Sequence, residues 1–204
     1  MRNPYKYRKM TDKLFISADA LLADSFALGA RVLRSGFRPT FLAALWRGGT
    51  PVGIAVQELL ERHGVRCDHI AVRTSSYTGI DRQEKAVRVH ALDYLVSHIG
   101  PQDRLLIVDD VFDSGRSLEA VIDALRDRCG PRYPAEVRIA TVWYKPARNR
   151  SRLHPDFSVH ETDRWLVFPH ELQGLTDAEI RAHKPAAAAD ALPGTSPPGI
   201  LGGQ

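Results

Sequence analysis

The stretch LLIVDDVFDSGRS, at residues 105–117, constrains the fold more than any other part of the chain. A continuous aliphatic run of this kind is typical of a strand that is covered on both faces of a sheet. The run ends at two adjacent acids, Asp109 and Asp110, and passes through a polar, glycine-containing turn into a helical pattern. The sequence therefore predicts a buried strand followed directly by a helix, with charged groups at the junction.

The turn after this strand has the features of a phosphate site. Gly115 allows the backbone to turn sharply and to approach a ligand closely. Backbone N–H groups and the positive dipole end at a helix N-terminus favour an anion. The acids upstream would repel a phosphate unless they bind another part of the same ligand. The hydroxyls of a phosphorylated sugar would suit them, and a divalent cation could bridge them to a diphosphate. Four polar residues flank the glycine: Asp113, Ser114, Arg116 and Ser117.

The rest of the chain alternates between strand and helix patterns, which predicts an α/β fold. We expect an open, mainly parallel sheet flanked by helices, with ligands bound outside the carboxyl ends of the strands. Helices are predicted at residues 11–35, 52–62 and 116–128, and strands at residues 40–46, 67–74, 87–92, 104–110, 135–144 and 157–161. Residues 93–99 are expected to form either a short helix or an extended connection.

A chain of 204 residues with 44% hydrophobic content suffices for one well-buried domain with small additions. We expect an N-terminal helical segment at residues 1–35 that contributes to the core or to a hood, and a core at residues 36–150. A small C-terminal hood is expected at residues 151–183. Residues 184–204, in which Ala, Pro and Gly dominate, are expected to be a disordered tail.

The net charge and the distribution of apolar residues limit the kinds of partner that we expect for this chain. The formal net charge of +4 is a mild basic excess, which suits an anionic small molecule. The basic residues form separate groups rather than one stripe, so no nucleic-acid partner is expected. No apolar run is long enough to span a bilayer and no signal-peptide pattern is present, so a cytoplasmic location without membrane attachment is expected. Cys67 and Cys129 lack metal-ligand spacing and are expected to be free thiols.

Residues 105–117 resemble the phosphoribosyl diphosphate motif of type I phosphoribosyltransferases. The resemblance implies that Asp109 and Asp110 hold the ribose hydroxyls and help to place Mg²⁺. It also implies that Asp113 acts as a general base near purine N7. Phosphoribosyl diphosphate is then the co-substrate, and its 5′-phosphate is held by the turn of Ser114, Gly115, Arg116 and Ser117.

Two further segments are similar to loops of that family. WRGGTP, at residues 46–51, resembles the pyrophosphate loop, in which Arg47 and the amide of Gly48 contact the diphosphate. A non-proline cis peptide is often found there, and Trp46–Arg47 is the candidate. TSSYTGIDRQEKAV is similar to the mobile loop of xanthine-guanine phosphoribosyltransferases, and we expect a loop at residues 75–86. Arg82 is either a cation for the diphosphate or a solvated residue, since its register differs by one from the family arginine.

The base is indicated by two segments near the C-terminus. Lys145, in a Lys-Pro context after a strand, resembles the lysine that donates to the exocyclic oxygen of 6-oxopurines. RWLVFP resembles the purine hood, in which Trp165 stacks on the base and the backbone of Leu166 reads its edge. Relatives that accept xanthine tend to have an acid where this chain has Val167, which favours hypoxanthine and guanine; xanthine stays an alternative, because His170 and Glu171 lie close by in the sequence.

The resemblance thus implies a magnesium-dependent purine salvage transferase that adds ribose 5-phosphate to N9 of a 6-oxopurine. Two alternatives stay open. One is a regulator that binds phosphoribosyl diphosphate with a degenerate transferase site, and the other is an enzyme for adenine or a pyrimidine, against which Lys145 and Trp165 argue. A homo-oligomer is expected, because dimers and tetramers are common in such families.

Overall fold

A computed structural model of the chain describes residues 13–78 and 85–193. These residues form two compact units: one spans residues 19–163, and the other combines the residues up to 18 with those from 164 onward. The helices and strands are, in chain order, β1 (Lys13–Phe15), α1 (Ala18–Arg34), β2 (Phe41–Trp46), α2 (Gly49–Arg62), β3 (Asp68–Thr78), β4 (Lys85–His90), α3 (Asp93–His98), β5 (Arg104–Phe112), α4 (Arg116–Cys129), β6 (Glu136–Tyr144), β7 (Phe157–Glu161), β8 (Trp165–Val167), α5 (Asp177–His183) and α6 (Ala186–Asp190).

The larger unit is built on a six-stranded sheet in the order β4-β3-β2-β5-β6-β7. All neighbours pair in parallel except β3 and β4, which pair antiparallel at one edge. The predicted open, mainly parallel sheet flanked by helices is confirmed. β7 lies within the range expected for the hood, but it forms the other edge of this sheet, where its backbone pairs with β6.

Both faces of the central strands are covered, which explains their continuous apolar sequences. On one face, α2 packs on β2 and β5, and its Val52, Val56 and Leu60 are fully buried. On the other face, strand residues such as Leu45 and Ile107 join side chains of α3 and α4 in one buried cluster. The helices therefore cover both faces of the sheet, and functional groups are expected at the ends of the strands.

The connections of the sheet change direction between β2 and β5. From β2 the chain runs through α2 to β3 and β4 on one side, whereas β5 leads through α4 to β6 and β7 on the other. In an open α/β sheet the crevice at such a switch point, at the carboxyl ends of the strands, is the usual ligand site. Here that position brings together the loops after β2 and β5.

The smaller unit contains the parallel pair β1 and β8, in which Leu14 lies opposite Leu166. The prediction of one helix over residues 11–35 is wrong at its start, because Lys13–Phe15 is a strand whose backbone pairs with β8. The tail expected to be disordered from residue 184 contains α6, whose four alanines have high helix propensity.

The loop expected at residues 75–86 is shorter in the structure. β3 continues to Thr78 and β4 begins at Lys85, so that the two strands form an antiparallel pair that includes both ends of this segment. Pairing of the two strands satisfies their backbone N–H and C=O groups. Arg82 lies outside the described residues. Among the described helices, none is long and apolar enough to cross a membrane.

Candidate active site

The loop after β2 packs directly against the acids that end β5. A Cβ atom on Gly48 would lie 1.8 Å from Oδ2 of Asp110, and one on Gly49 would lie 2.5 Å from the carbonyl oxygen of Val108. Real Cβ atoms do not approach other atoms so closely. Gly49 therefore has no room for a side chain against the backbone of β5, and a side chain at position 48 would displace the Asp110 carboxylate. The preceding peptide, Trp46–Arg47, is cis, as the family resemblance implied. The glycines thus bring the exposed Arg47 and the acid pair to the same edge of the sheet.

The two acids are crowded together. Asp110 is 8% exposed, and its backbone N–H donates to Oδ1 of Asp109 at 2.9 Å. Burial, followed by the negative charge of Asp110, raises the pKa of Asp109 well above its ordinary value. A pair of carboxylates in this position is stabilised by any cation or hydroxyl donor that approaches from the open side. Electrostatics therefore favours a ligand with hydroxyl groups or a bound metal ion.

The turn after β5 presents an uncapped helix N-terminus. Gly115 has φ of +76° and is the residue before α4, where no side chain caps the first backbone N–H groups. The carbonyl of Gly115 accepts from the N–H of Glu119 at 2.9 Å, which is the first turn of the helix. Unpaired N–H groups at the positive end of a helix dipole bind phosphate well, so the geometry fits the predicted phosphate turn.

The segment after β6 supports this turn from behind. The N–H of Arg150 donates to the carbonyl of Ser114 at 3.0 Å. Ser151 packs so closely that its Oγ would lie 2.1 Å from a Cβ on Gly115. Asn149 holds Ser151 in place, since its Oδ1 accepts from both the N–H and the hydroxyl of Ser151. The turn is therefore held by tertiary contacts as well as by its own sequence.

Lys145 and Asp113 form an ion pair at this edge of the sheet. Asp113 follows β5 and Lys145 follows β6, and these two strands are neighbours in the sheet. The N–H of Lys145 donates to the carbonyl of Phe112 at 2.9 Å. Lys145 is 4% exposed, and its Nζ lies 3.2 Å from Oδ2 of Asp113. Nε of Arg148 lies 2.7 Å from the other carboxylate oxygen of Asp113. A buried donor and an acceptor thus lie next to each other, and a second cation holds the acceptor.

The larger unit therefore brings most of the predicted site residues to one edge: the Arg47–Gly48 loop, the acid pair, the turn at residues 113–117 and Lys145. Trp165 and Leu166 lie next to each other on β8 of the smaller unit, with Trp165 48% exposed and Leu166 buried. Sequence reasoning missed Arg148. The only signal was its spacing of three residues from Lys145, which places both on one short 3-10 turn.

The donor set fits magnesium that arrives with a substrate. Within residues 13–78 and 85–193, no three His, Cys, Asp or Glu side chains come together as a metal site. Mg²⁺ in proteins is commonly held by one or two carboxylates, with the remaining positions taken by water and substrate phosphates. Asp109 and Asp110 supply such a pair, and a diphosphate would supply the rest.

A comparison with models of known protein families matches most of the chain, including the candidate site. The family model described as phosphoribosyl transferase domain matches residues 17–173. No curated protein matches the chain.

Solved structures give the same fold over nearly their whole length. A purine phosphoribosyltransferase from Pyrococcus horikoshii is 25% identical, with a TM-score of 0.65, over 81% of this chain and 98% of its own. A xanthine-guanine-hypoxanthine phosphoribosyltransferase from Helicobacter pylori is 23% identical, with a TM-score of 0.61, over 84% and 99%. A hypothetical protein from Neisseria gonorrhoeae, solved with bound ppGpp, is 19% identical, with a TM-score of 0.68, over 90% and 99%.

Proposed function

Because the chain belongs to the phosphoribosyl transferase domain family, we propose that it transfers ribose 5-phosphate from phosphoribosyl diphosphate to N9 of a 6-oxopurine and releases diphosphate. The observation that carries the choice of base is the ion pair of buried Lys145 with Asp113 at the edge of the sheet that also bears the phosphate turn. The enzyme then belongs to purine salvage, with hypoxanthine and guanine as its substrates.

Lys145 and Asp113 match one edge of a 6-oxopurine. That edge carries the O6 acceptor beside N7, which bears a proton in one tautomer of the free base. An ammonium can only donate, whereas a carboxylate can only accept, and here the two groups lie 3.2 Å apart. Adenine carries an amino donor at C6, which would face the ammonium. The pair therefore favours an oxo group over an amino group at this position.

The phosphoribosyl end is assigned to the remaining groups of the edge. The amides of the turn at residues 114–117 hold the 5′-phosphate, and Asp109 and Asp110 accept from the ribose hydroxyls. The same two carboxylates would hold Mg²⁺, which, when bound with the diphosphate, neutralises its charge. Arg47 and the amide of Gly48 contact the diphosphate. Arg82 is an additional candidate for that contact.

The reaction exchanges one bond at ribose C1 for another. The bond from C1 to the diphosphate oxygen breaks through an oxocarbenium-like state, and the bond from C1 to N9 forms. Asp113 accepts the proton that the base loses as N9 becomes nucleophilic. Arg47 stabilises the negative charge that develops on the departing diphosphate.

The hood residues are assigned from the family resemblance. Trp165, which is 48% exposed, stacks on the base. The backbone of Leu166 reads the purine edge. Val167 is apolar and 1% exposed, so it offers no group to a 2-oxo substituent, which favours hypoxanthine and guanine over xanthine.

The direct test is a panel of free bases with phosphoribosyl diphosphate and Mg²⁺, in which nucleotide formation is followed. We expect product from hypoxanthine and guanine and none from adenine. Lys145→Ala should raise the KM for the base by about tenfold to a hundredfold, because a hydrogen bond to a charged donor is lost, and leave the KM for phosphoribosyl diphosphate nearly unchanged. Arg150→Ala, an exposed cation of the same loop, is the matched control. Failure of every 6-oxopurine would contradict the proposal, and phosphoribosyl diphosphate binding without transfer would favour a regulator.

A further inference from the structure

The segment at residues 176–184 lies beyond residues 17–173, which the family model matches, yet it contacts β1 and the turn that follows β8. We call this segment, which contains α5 and the residue after it, the C-terminal brace. One of its contacts reaches the turn that follows β8, and two reach β1. β8 carries Trp165 and Leu166, so the brace acts on the strand to which the proposed base contacts belong.

Lys184 makes the contact on the β8 side. The residue is only 9% exposed, and its Nζ donates to the carbonyl oxygen of Phe168 at 2.6 Å and lies 3.5 Å from that of Pro169. Burial lowers the pKa of Lys184, although the negative charge of Glu171 opposes this shift. A buried ammonium is costly unless its protons are donated, and the backbone carbonyls of this turn accept them.

The turn held by Lys184 is also closed within itself. The carbonyl of Phe168 accepts from the N–H of Glu171 at 3.0 Å, and Oε2 of Glu171 accepts from the N–H of Phe168 at 3.0 Å. The Phe168 carbonyl therefore receives both the turn hydrogen bond and the Lys184 ammonium. Because this turn begins at the residue after Val167, its position sets where β8 ends.

The other two contacts hold β1, the strand that pairs with β8. Nζ of Lys13 lies 2.6 Å from Oε1 of Glu179. The ring of Phe15 stacks on that of His183, with 3.8 Å between the ring centroids. A capping box between Thr176 and Glu179 fixes the start of α5, so that these side chains project from a defined helix.

The strand pair needs this support. β1 and β8 are three residues long each, and two-stranded ribbons are at best marginally stable in water without packing against another element. The brace supplies packing to one strand and a charged hydrogen bond to the turn after the other. Its contacts come from both ends of α5, so the helix acts as a single support.

We propose that Lys184 is a positioning residue for the purine base: through the carbonyl of Phe168 it holds β8, and with it Trp165 and Leu166, in the arrangement that receives the base. This inference rests on the proposed function, since it assigns the base contacts to β8. It gives the C-terminal segment a role in base affinity, although the residues of the segment themselves do not touch the base.

Hydrogen–deuterium exchange of the full chain tests whether Lys184 holds β8 in place, and this measurement does not require enzymatic activity. Lys184→Met keeps the length of the side chain and removes the ammonium, and Arg181→Met removes an exposed cation from the same segment as a control. We expect amides of residues 164–171 to exchange about tenfold faster in Lys184→Met and at the native rate in Arg181→Met, while β5 stays protected in both. Unchanged exchange at residues 164–171 would overturn the inference, whether or not the protein transfers a purine.

Steady-state kinetics tests whether Lys184 affects the affinity for the purine base. In Lys184→Met the KM for hypoxanthine or guanine should rise by about tenfold, while the KM for phosphoribosyl diphosphate stays within about twofold. An equal rise in both KM values would overturn the positioning role. If Lys184→Met does not fold, Glu179→Gln decides, since it weakens the Lys13 contact of the same brace and should raise the base KM alone.

Discussion

At the scale of single residues, the site depends on a glycine, because a side chain at that position would collide with the acid pair. Gly48 leaves the space that the Asp110 carboxylate fills, since a Cβ there would lie 1.8 Å from Oδ2. The loop that carries Arg47 can therefore approach the acid pair, in the arrangement seen here, because position 48 is glycine. The identity of one small residue sets the distance between two groups of opposite charge.

Replacing that glycine should disable the site without unfolding the sheet. We expect Gly48→Ala to lower kcat/KM for phosphoribosyl diphosphate by about a hundredfold, because the loop or Asp110 must move by an ångström or more. The control is Gly100→Ala, where the nearest atom to the new Cβ is Oδ2 of Asp103 at 3.7 Å, an ordinary contact. Activity of Gly48→Ala equal to that of the control would contradict the assignment of the loop.

Arg148 should assist Asp113 during turnover. When Lys145 donates to the base, Asp113 keeps its second partner, the Arg148 guanidinium at 2.7 Å. Since the pair is partly exposed, we expect Arg148→Gln to lower kcat by about fivefold and to leave the KM for phosphoribosyl diphosphate unchanged. The Arg150 side chain donates to the neighbouring backbone carbonyls of Ala147 and Asn149, so Arg150→Gln should match the unmodified protein in steady-state assays. A loss of the same size in both variants would show that general loop disturbance, and not the ion pair, is responsible.

Some of these residues could be predicted from the sequence and others could not. The turn at residues 113–117 and the Arg47–Gly48 loop each carry their chemistry in a short local pattern. Arg148 does not, because its partner lies on another loop, and only the parallel register of β5 and β6 brings the two together. Lys184 was hidden for a similar reason, since its partners are backbone carbonyls, which leave no trace in residue types.

At the scale of helices and strands, the central elements followed the predictions and the short ones did not. β2, β5 and β6 are long apolar runs covered on both faces, so their sequences specify them locally. β1 is three residues long and exists because β8 pairs with it, which no local pattern reveals. The paired ends of β3 and β4 likewise form through each other, although their polar sequence predicted a loop.

The packing of α5 on β1 should depend on pH. The hydrogen bond from Lys13, followed by that from the Thr176 backbone, lowers the pKa of Glu179 from 4.5 to about 2. Because the folded state binds fewer protons than the unfolded state between these values, the stabilisation is fully present above pH 4.5 and is lost as the pH falls toward 2. Melting temperatures of the unmodified protein and Glu179→Gln should thus differ most near pH 7, and the difference should shrink below pH 4.5 and vanish as the pH approaches 2. A difference that stays constant over this range would contradict the role of the carboxylate.

At the scale of the whole molecule, the order of the strands makes the site. The loops after β2 and β5 are far apart in the chain, and they meet because β2 and β5 are neighbours at the switch point of the sheet. The alternation of strands and helices predicted this class of fold, but not the strand order, which depends on how the connections cross the sheet. The division into two units also had no counterpart in local composition, since the smaller unit joins residues from both ends of the chain.

The most direct test of the account is a crystal structure of the protein with inosine 5′-monophosphate, Mg²⁺ and diphosphate. In that complex we expect the 5′-phosphate on the backbone amides of residues 114–117, the ribose hydroxyls toward Asp109 and Asp110, and the purine O6 within hydrogen-bonding distance of Nζ of Lys145. A nucleotide bound away from this edge of the sheet, or one whose phosphate avoids the turn, would contradict it.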